Sequence, residues 1–394
     1  MTWQDQEVNE TFPRQSAATR NFQLGAPRSF LICGSGKHVL FLRSESGRDA
    51  VNSLWAYDVT ARIETKIADP RVLLAVDGEI PEAERARRER MRETTSGITG
   101  YSSDTNGEKI IFALSGKLFA GQVDTADFVE LEVAEPVIDP KLSPDGSTIA
   151  WSNGRDLLIC NFDGSNVLNL TNESADNVSW GLSDFIAAEE FDRMSGYWWS
   201  PNSDELIVEQ TDDSQVQKWW ISDPATPQKQ PNEIRYPAAG TKNAVLGLAR
   251  ISIAGKKEAI NWDNDSFEYL ISVSWQKDCE ALITVADRAQ QNFVTYSLSE
   301  SGLKIVHEVT DHEFVEVIPG QPRWHDGKIV SIIDNRQTDT RELQVAGRVI
   351  TPPGFQVMSV IDVTSDYIDV VATSDAVSRD VVRVGYDGSL TELA

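Results

Sequence analysis

A hairpin-sized unit recurs along this chain of 394 residues, and the recurrence constrains the fold more than any other feature. Each unit is a turn cluster, an alternating apolar strand, a polar gap and a second strand. The clearest copies follow Ser143-Pro-Asp-Gly, as STIAWSNGRDLLICNFDGS, and Ser200-Pro-Asn-Ser, as DELIVEQTDDSQVQKWWISD. Related units begin at Lys37, Gly107, Cys279, Gly327 and Asp366. Period-two alternation of Val, Ile, Phe and Tyr marks half-buried strands. In Pro-Asp-Gly, proline presets φ and glycine accepts the positive φ that closes the turn. Separated hairpins at blade-length intervals argue for radial repetition. The alternative, a two-sheet sandwich, usually holds fewer. The expected fold class is therefore all-β, a β-propeller with about seven visible blades and short helical insertions.

Length agrees, because chains beyond roughly 250–300 residues outgrow a single core and divide or repeat. The net charge of −25 repels phosphate backbones and anionic bilayers, which argues against nucleic-acid and membrane partners. It would draw in a cationic ligand, although solubility alone also explains it. Three cysteines, Cys33, Cys160 and Cys279, do not make a disulfide framework and suit a reducing, cytoplasmic setting. The start, MTWQDQEVNE, shows no signal-peptide pattern, and no run approaches a membrane span. Sequons at Asn9, Asn169, Asn172, Asn177 and Asn264 then read as chance.

Two segments break the β pattern. In Glu79–Glu93, EIPEAERARRERMRE, Pro81 suits a first helical turn, and Glu82 and Glu84 favour its positive end. Glu84 with Arg88, and Arg85 with Glu89, stand four apart and can pair. With few apolar residues, this helix is expected to be solvated. In Ser183–Met194, SDFIAAEEFDRM, the alanines and glutamates favour a short helix at a blade edge, near 184–193.

No Gly-x-Ser-x-Gly elbow and no His-Glu-x-x-His pattern occurs, so no catalytic residue, metal ligand or cofactor is assigned. Gly34-Ser-Gly-Lys37 has the wrong spacing for a phosphate loop and reads as a turn before a strand. Glu189 and Glu190 are the sharper signal. On a helix, neighbouring carboxylates can flank one ligand, and their mutual repulsion is relieved by a bound ammonium. The competing reading is an ordinary solvated acidic face.

Context favours the ligand. Trp180-Gly-Leu-Ser-Asp-Phe-Ile-Ala-Ala-Glu-Glu-Phe-Asp-Arg, followed by Tyr197-Trp-Trp-Ser-Pro, resembles the dipeptidyl peptidase IV family. Arg235-Tyr-Pro-Ala-Ala-Gly-Thr-Lys-Asn243 resembles that family's segment after the same blade. Ala86-Arg-Arg-Glu-Arg-Met-Arg, leading to Gly97-Ile-Thr-Gly-Tyr101, resembles its arginine-rich helix and following strand, and Thr364-Ser-Asp-Tyr367 fits a late blade. The resemblance implies that Glu189 and Glu190 clamp the free N-terminus of a peptide. It also implies an arginine that grips a substrate carbonyl, with Arg92 the first candidate and Arg90 the second. Surface charge balance is the other reading of these arginines.

Family members continue into an α/β-hydrolase domain, which the resemblance implies as partner. This chain is expected to lack it and to stop before the last of eight blades. The expected layout is an N-terminal segment over 1–28 and a propeller over 29–394. An unclosed edge would invite homo-oligomerisation. The implied function is recognition and gating in a serine exopeptidase that releases N-terminal dipeptides with proline or alanine second. The alternative is a stand-alone propeller that binds peptides or proteins without catalysis.

Overall fold

The computed structural model describes residues 10–74, 80–375 and 377–394. Asn9, Glu79 and most of the N-terminal decapeptide therefore lie outside the described residues. The chain divides into two compact units, one of residues 1–175 with 179–182, the other of residues 176–178 with 183–394. Each unit is built from antiparallel meanders of the kind that make propeller blades, and the fold class is an all-β propeller.

The first unit carries three such sheets. The first runs Arg28–Ile32, His38–Ser44, Val51–Asp58 and Ile63–Ala68, with Ser96–Gly97 alongside Val51–Asp58. Strands Ser102–Ser103, Lys109–Leu114, Lys117–Gln122 and Asp127–Leu131 form the second, and Ile138–Leu142, Thr148–Ser152, Leu157–Asn161 and Leu168–Asn169 the third. Alternate residues of facing sheets fill the space between them. Ile111, Leu118, Ile149 and Trp151 share one such core, and the Trp151 indole N–H reaches the Ala134 carbonyl at 3.2 Å. The Ser143-Pro-Asp-Gly turn closes as expected, with Gly146 N donating to Ser143 O at 2.9 Å and Gly146 at φ +69°.

Among the described residues the second unit carries four more such meanders and one two-stranded ribbon. One runs Tyr197–Trp199, Glu205–Asp212, Val245–Ser252 and Lys257–Ile260. The next runs Tyr269–Ser274, Ala281–Ala286, Asn292–Ser299 and Gly302–Thr310. Then follow Arg323–His325, Lys328–Asn335, Thr340–Val345 and Arg348–Val349, and finally Gln356–Val363, Tyr367–Thr373, Asp380–Gly385 and Leu390–Glu392. Strand Ala281–Ala286 is buried along its whole length, which explains its apolar run, and its one polar member, Thr284, is paired with the Thr295 hydroxyl at 3.0 Å.

Six of the seven expected hairpins pair as read. The seventh does not. Strand Glu205–Asp212 pairs with Val245–Ser252, in register Glu205 with Ser252. Lys218–Ile221, which carries the second apolar cluster of that stretch, pairs instead with Asn232–Arg235 in a separate two-stranded ribbon. Its four residues are all exposed, including Trp219 and Trp220. Arg235–Asn243 thus begins inside an insertion of this blade, before its third strand.

Among the described residues there are four helices, α1 (Phe12–Ala18) ahead of the first strand, and α2 (Pro70–Leu73), α3 (Glu82–Arg90) and α4 (Phe185–Glu190) between strands. The last two fall within the segments expected to be helical. The expectation of a solvated α3 is corrected at Glu84 and Arg88, which are buried as an ion pair of 2.8 Å. A helix with no apolar stripe buries a neutralised pair instead. Arg85 does not pair with Glu89 among the described residues; it donates to the Ile80 carbonyl at 3.2 Å. All three cysteines are free thiols, and burial pushes Cys160 up to about 12. Among the described residues, no helix is long and apolar enough to cross a membrane.

Candidate functional site

In the second unit, α4 holds Glu189 and Glu190 in its last turn. Asp184 caps its first, accepting from the backbone N–H groups of Ile186 at 2.9 Å and Ala187 at 3.3 Å. Ala187 and Ala188 are buried; Ala187 and Phe191 pack against Ile271 and Phe293 of the adjacent sheet. Phe191 meets Tyr269 edge-on at 5.4 Å, and Phe185 meets Tyr236 at 5.2 Å. With that face committed, Glu189 and Glu190 are left exposed, side by side. Among the described residues neither has a hydrogen-bond or ion-pair partner. Both sit at the negative end of the helix, where a carboxylate gains nothing from the backbone dipoles. The helix end thus presents two adjacent exposed carboxylates with no counter-cation among the described residues.

Below the helix lies a charged cluster. Arg193 is 9% exposed and bonds to the carboxylates of Asp184, at 3.4 Å, and of Glu209. Its guanidinium also reaches the carbonyls of Ser195 at 2.9 Å and Leu270 at 3.2 Å. Glu209 is fully buried and also accepts from Asp184 N at 3.1 Å and from Thr211 Oγ1 at 3.3 Å. Burial raises its pKa and Arg193 lowers it, leaving the carboxyl pushed up to about 7. Sequence reasoning missed this cluster. The signal was present, since Glu209 is a charged residue at an inward position of the apolar run ELIVE.

The arginine candidates belong to the first unit. Arg90 is half-buried in the last turn of α3, whereas Arg92 is exposed just beyond it. The helix ends in a Schellman turn: Glu93 N donates to Arg88 O at 2.8 Å and Arg92 N to Glu89 O at 3.0 Å. That places Arg92 at the left-handed position, φ +52°, which helices usually give to glycine. The next residue is locked. Glu93 pairs with Arg28 at 2.6 Å and accepts from Thr95 N at 2.7 Å and from the Thr95 hydroxyl. Burial alone would raise the Glu93 pKa, but Thr95 and Arg28 hold it below the ordinary carboxylate value. The Arg92 side chain has no partner among the described residues. It lines a pocket with Arg20, Arg28, Thr94 and Thr95.

Residues 97–101 follow. Gly97 sits at φ +74°, and a Cβ there would come within 2.5 Å of the Asn52 carbonyl. The strand Ser96–Gly97 beside Val51–Asn52 therefore requires glycine at this position, and Tyr101 donates to Ser29 O at 2.6 Å.

Comparison with known proteins gives a consistent answer. A family model described as "Dipeptidyl peptidase IV (DPP IV) N-terminal region" matches residues 104–380. Human dipeptidyl peptidase 8 is 29% identical over 187 residues, covering 41% of this chain and 21% of that protein. A probable dipeptidyl-aminopeptidase B of Aspergillus clavatus is 22% identical over 322 residues, covering 69% of this chain and 35% of that protein. Among solved structures, Porphyromonas gingivalis dipeptidyl peptidase 4 superposes with a TM-score of 0.75 at 17% identity, covering 98% of this chain and 55% of that one. The matched portion thus spans about a fifth to a third of these curated relatives.

Proposed function

The chain belongs to the dipeptidyl peptidase IV N-terminal region family, and from that premise we propose that it is the peptide-recognition and gating propeller of a serine-type dipeptidyl peptidase. The exposed pair Glu189 and Glu190, fixed on a capped helix and lacking any counter-cation among the described residues, carries this reading. An α-ammonium between them would donate to both and remove their repulsion, each charged hydrogen bond adding roughly 1.5–3 kcal/mol. Arg92, fixed at a helix end with an unpartnered fork, is the group proposed to hold the first substrate carbonyl. Such a clamp sets a constant distance from the peptide N-terminus to the scissile bond, which yields dipeptides. The nucleophile, base and oxyanion hole would come from an α/β-hydrolase domain.

The test is binding of the tripeptide Ala-Pro-Ala to this chain, measured by titration calorimetry against its N-acetylated form. The free amine should bind and the acetylated form should not. Glu189→Gln and Glu190→Gln should each weaken binding roughly tenfold or more. Equal binding of both peptides, or Gln variants as tight as wild type, would overturn the clamp.

A further inference from the structure

We propose that Arg193, held between Asp184 and Glu209, is the positioning residue of the clamp: it straps α4 to two strands of the blades beneath and so fixes where Glu189 and Glu190 point. This inference rests on the clamp reading and extends it to residues that touch no ligand. Asp184 stands five positions before Glu189 and Arg193 three after Glu190, so their ion pair of 3.4 Å ties the cap of the helix to the chain that leaves it. The strap has two further anchors. One is Glu209 on strand Glu205–Asp212, and the other is the Leu270 carbonyl on strand Tyr269–Ser274, at 3.2 Å from Arg193 Nε. The guanidinium also lies 5.8 Å from the ring of Trp198. Helix, cap and both strands therefore share one side chain. A six-residue helix has little stability of its own, so its direction depends on such an anchor.

The anchor carries a titratable part. Glu209 is pushed up to about 7, burial being the main cause. The charged groups acting on it are Arg193, from the segment after α4, and Asp184, from the helix cap. Across the sheet, among the described residues, its backbone neighbours are uncharged. Its own N–H donates to the Gly196 carbonyl at 2.8 Å, and Leu248 is its cross-strand partner. Below neutrality Glu209 takes a proton and Arg193 loses its strongest counter-charge. The clamp then loosens while the peptide amine, with an ordinary pKa of roughly 7.7–8.0, stays charged. Ammonium binding should accordingly fall on the acid side, in the direction opposite to the titration of the peptide itself.

The experiment is the pH profile of Ala-Pro-Ala binding from pH 5.5 to 8, with the N-acetylated peptide as control and circular dichroism to confirm folding. Wild type should lose affinity below neutrality, by up to about tenfold per pH unit. Glu209→Gln, isosteric and uncharged, should bind weakly and without that acid limb. Arg193→Lys should keep the limb, because it keeps the charge, at lower affinity. If Glu209→Gln retains the acid limb, or wild type shows none, the positioning role falls. If Glu189→Gln and Glu190→Gln leave binding unchanged, or wild type does not bind, the clamp reading falls first.

Discussion

Arg88 Nε donates to Glu84 Oε1 at 2.8 Å, one helical turn away, with both residues under a tenth exposed. Arg87 reaches the same carboxylate at 3.4 Å and Asp139 at 3.0 Å. Helix α3 is thus held by neutralised charge where most helices use an apolar stripe. Removing one member leaves a buried charge without its partner. Glu84→Ala should therefore lower stability by about 3–5 kcal/mol in urea unfolding. The double change Glu84→Leu with Arg88→Met should cost far less, because an apolar pair of similar volume needs no compensation. Equal losses in both would mean that packing, not charge, secures the helix.

Glu93 offers a pH test. Its pKa is lowered in the fold, with Thr95 and Arg28 outweighing burial. A lowered carboxylate stabilises above its unfolded value, roughly 4.3, and the contribution is lost as pH falls through the folded value. Glu93→Gln should be less stable than wild type at pH 7, with the gap narrowing as pH drops toward 3. A gap that stays constant with pH would show that Glu93 acts through shape alone.

Two tryptophans of the recurring units separate sharply in burial. Trp151 is fully buried between sheets, whereas Trp220 on the ribbon is 62% exposed. Trp151→Ala should cost about 3–5 kcal/mol, and Trp220→Ala less than about 0.5 kcal/mol. Denaturant midpoints followed by far-ultraviolet dichroism separate the two. A large loss at Trp220 would mean that the ribbon is packed in solution.

These contrasts explain what could be read from the residues and what could not. Hairpins such as Thr148–Asn161 and Ala281–Ser299 declare themselves, because period-two burial and tight turns act within twenty residues. The partner of Glu205–Asp212 begins at Val245, beyond an insertion of more than thirty residues, and the nearer apolar cluster at Trp219 imitates it in sequence. The exposed Glu189 and Glu190 were legible as an adjacent acidic pair on a short helix. Their support was not. Glu209 stands sixteen residues after Arg193 and twenty-five after Asp184, and only the folded blade brings this buried charge of the strand to the helix that needs it. Arg92 was chosen by resemblance; its left-handed backbone is a consequence of the Schellman turn that the sequence, lacking a glycine there, did not announce.

That backbone makes the sharpest separation of stability from recognition. Arg92 lies at φ +52°, where a side chain with a Cβ costs roughly 1–2 kcal/mol. Glycine accepts that conformation but has more freedom to lose on folding, by roughly 0.4–1 kcal/mol. Arg92→Gly should therefore leave stability unchanged or raise it by up to about 1 kcal/mol. If Arg92 holds a peptide carbonyl, the same change should weaken Ala-Pro-Ala binding several-fold, and Arg92→Lys, which keeps charge but not the fork, should recover only part of it. Arg90→Ala is the comparison: Arg90 is half-buried in the helix, so its loss should register in unfolding before it registers in binding. Should Arg92→Gly bind peptide as wild type does while Arg90→Ala does not, the carbonyl contact belongs to Arg90.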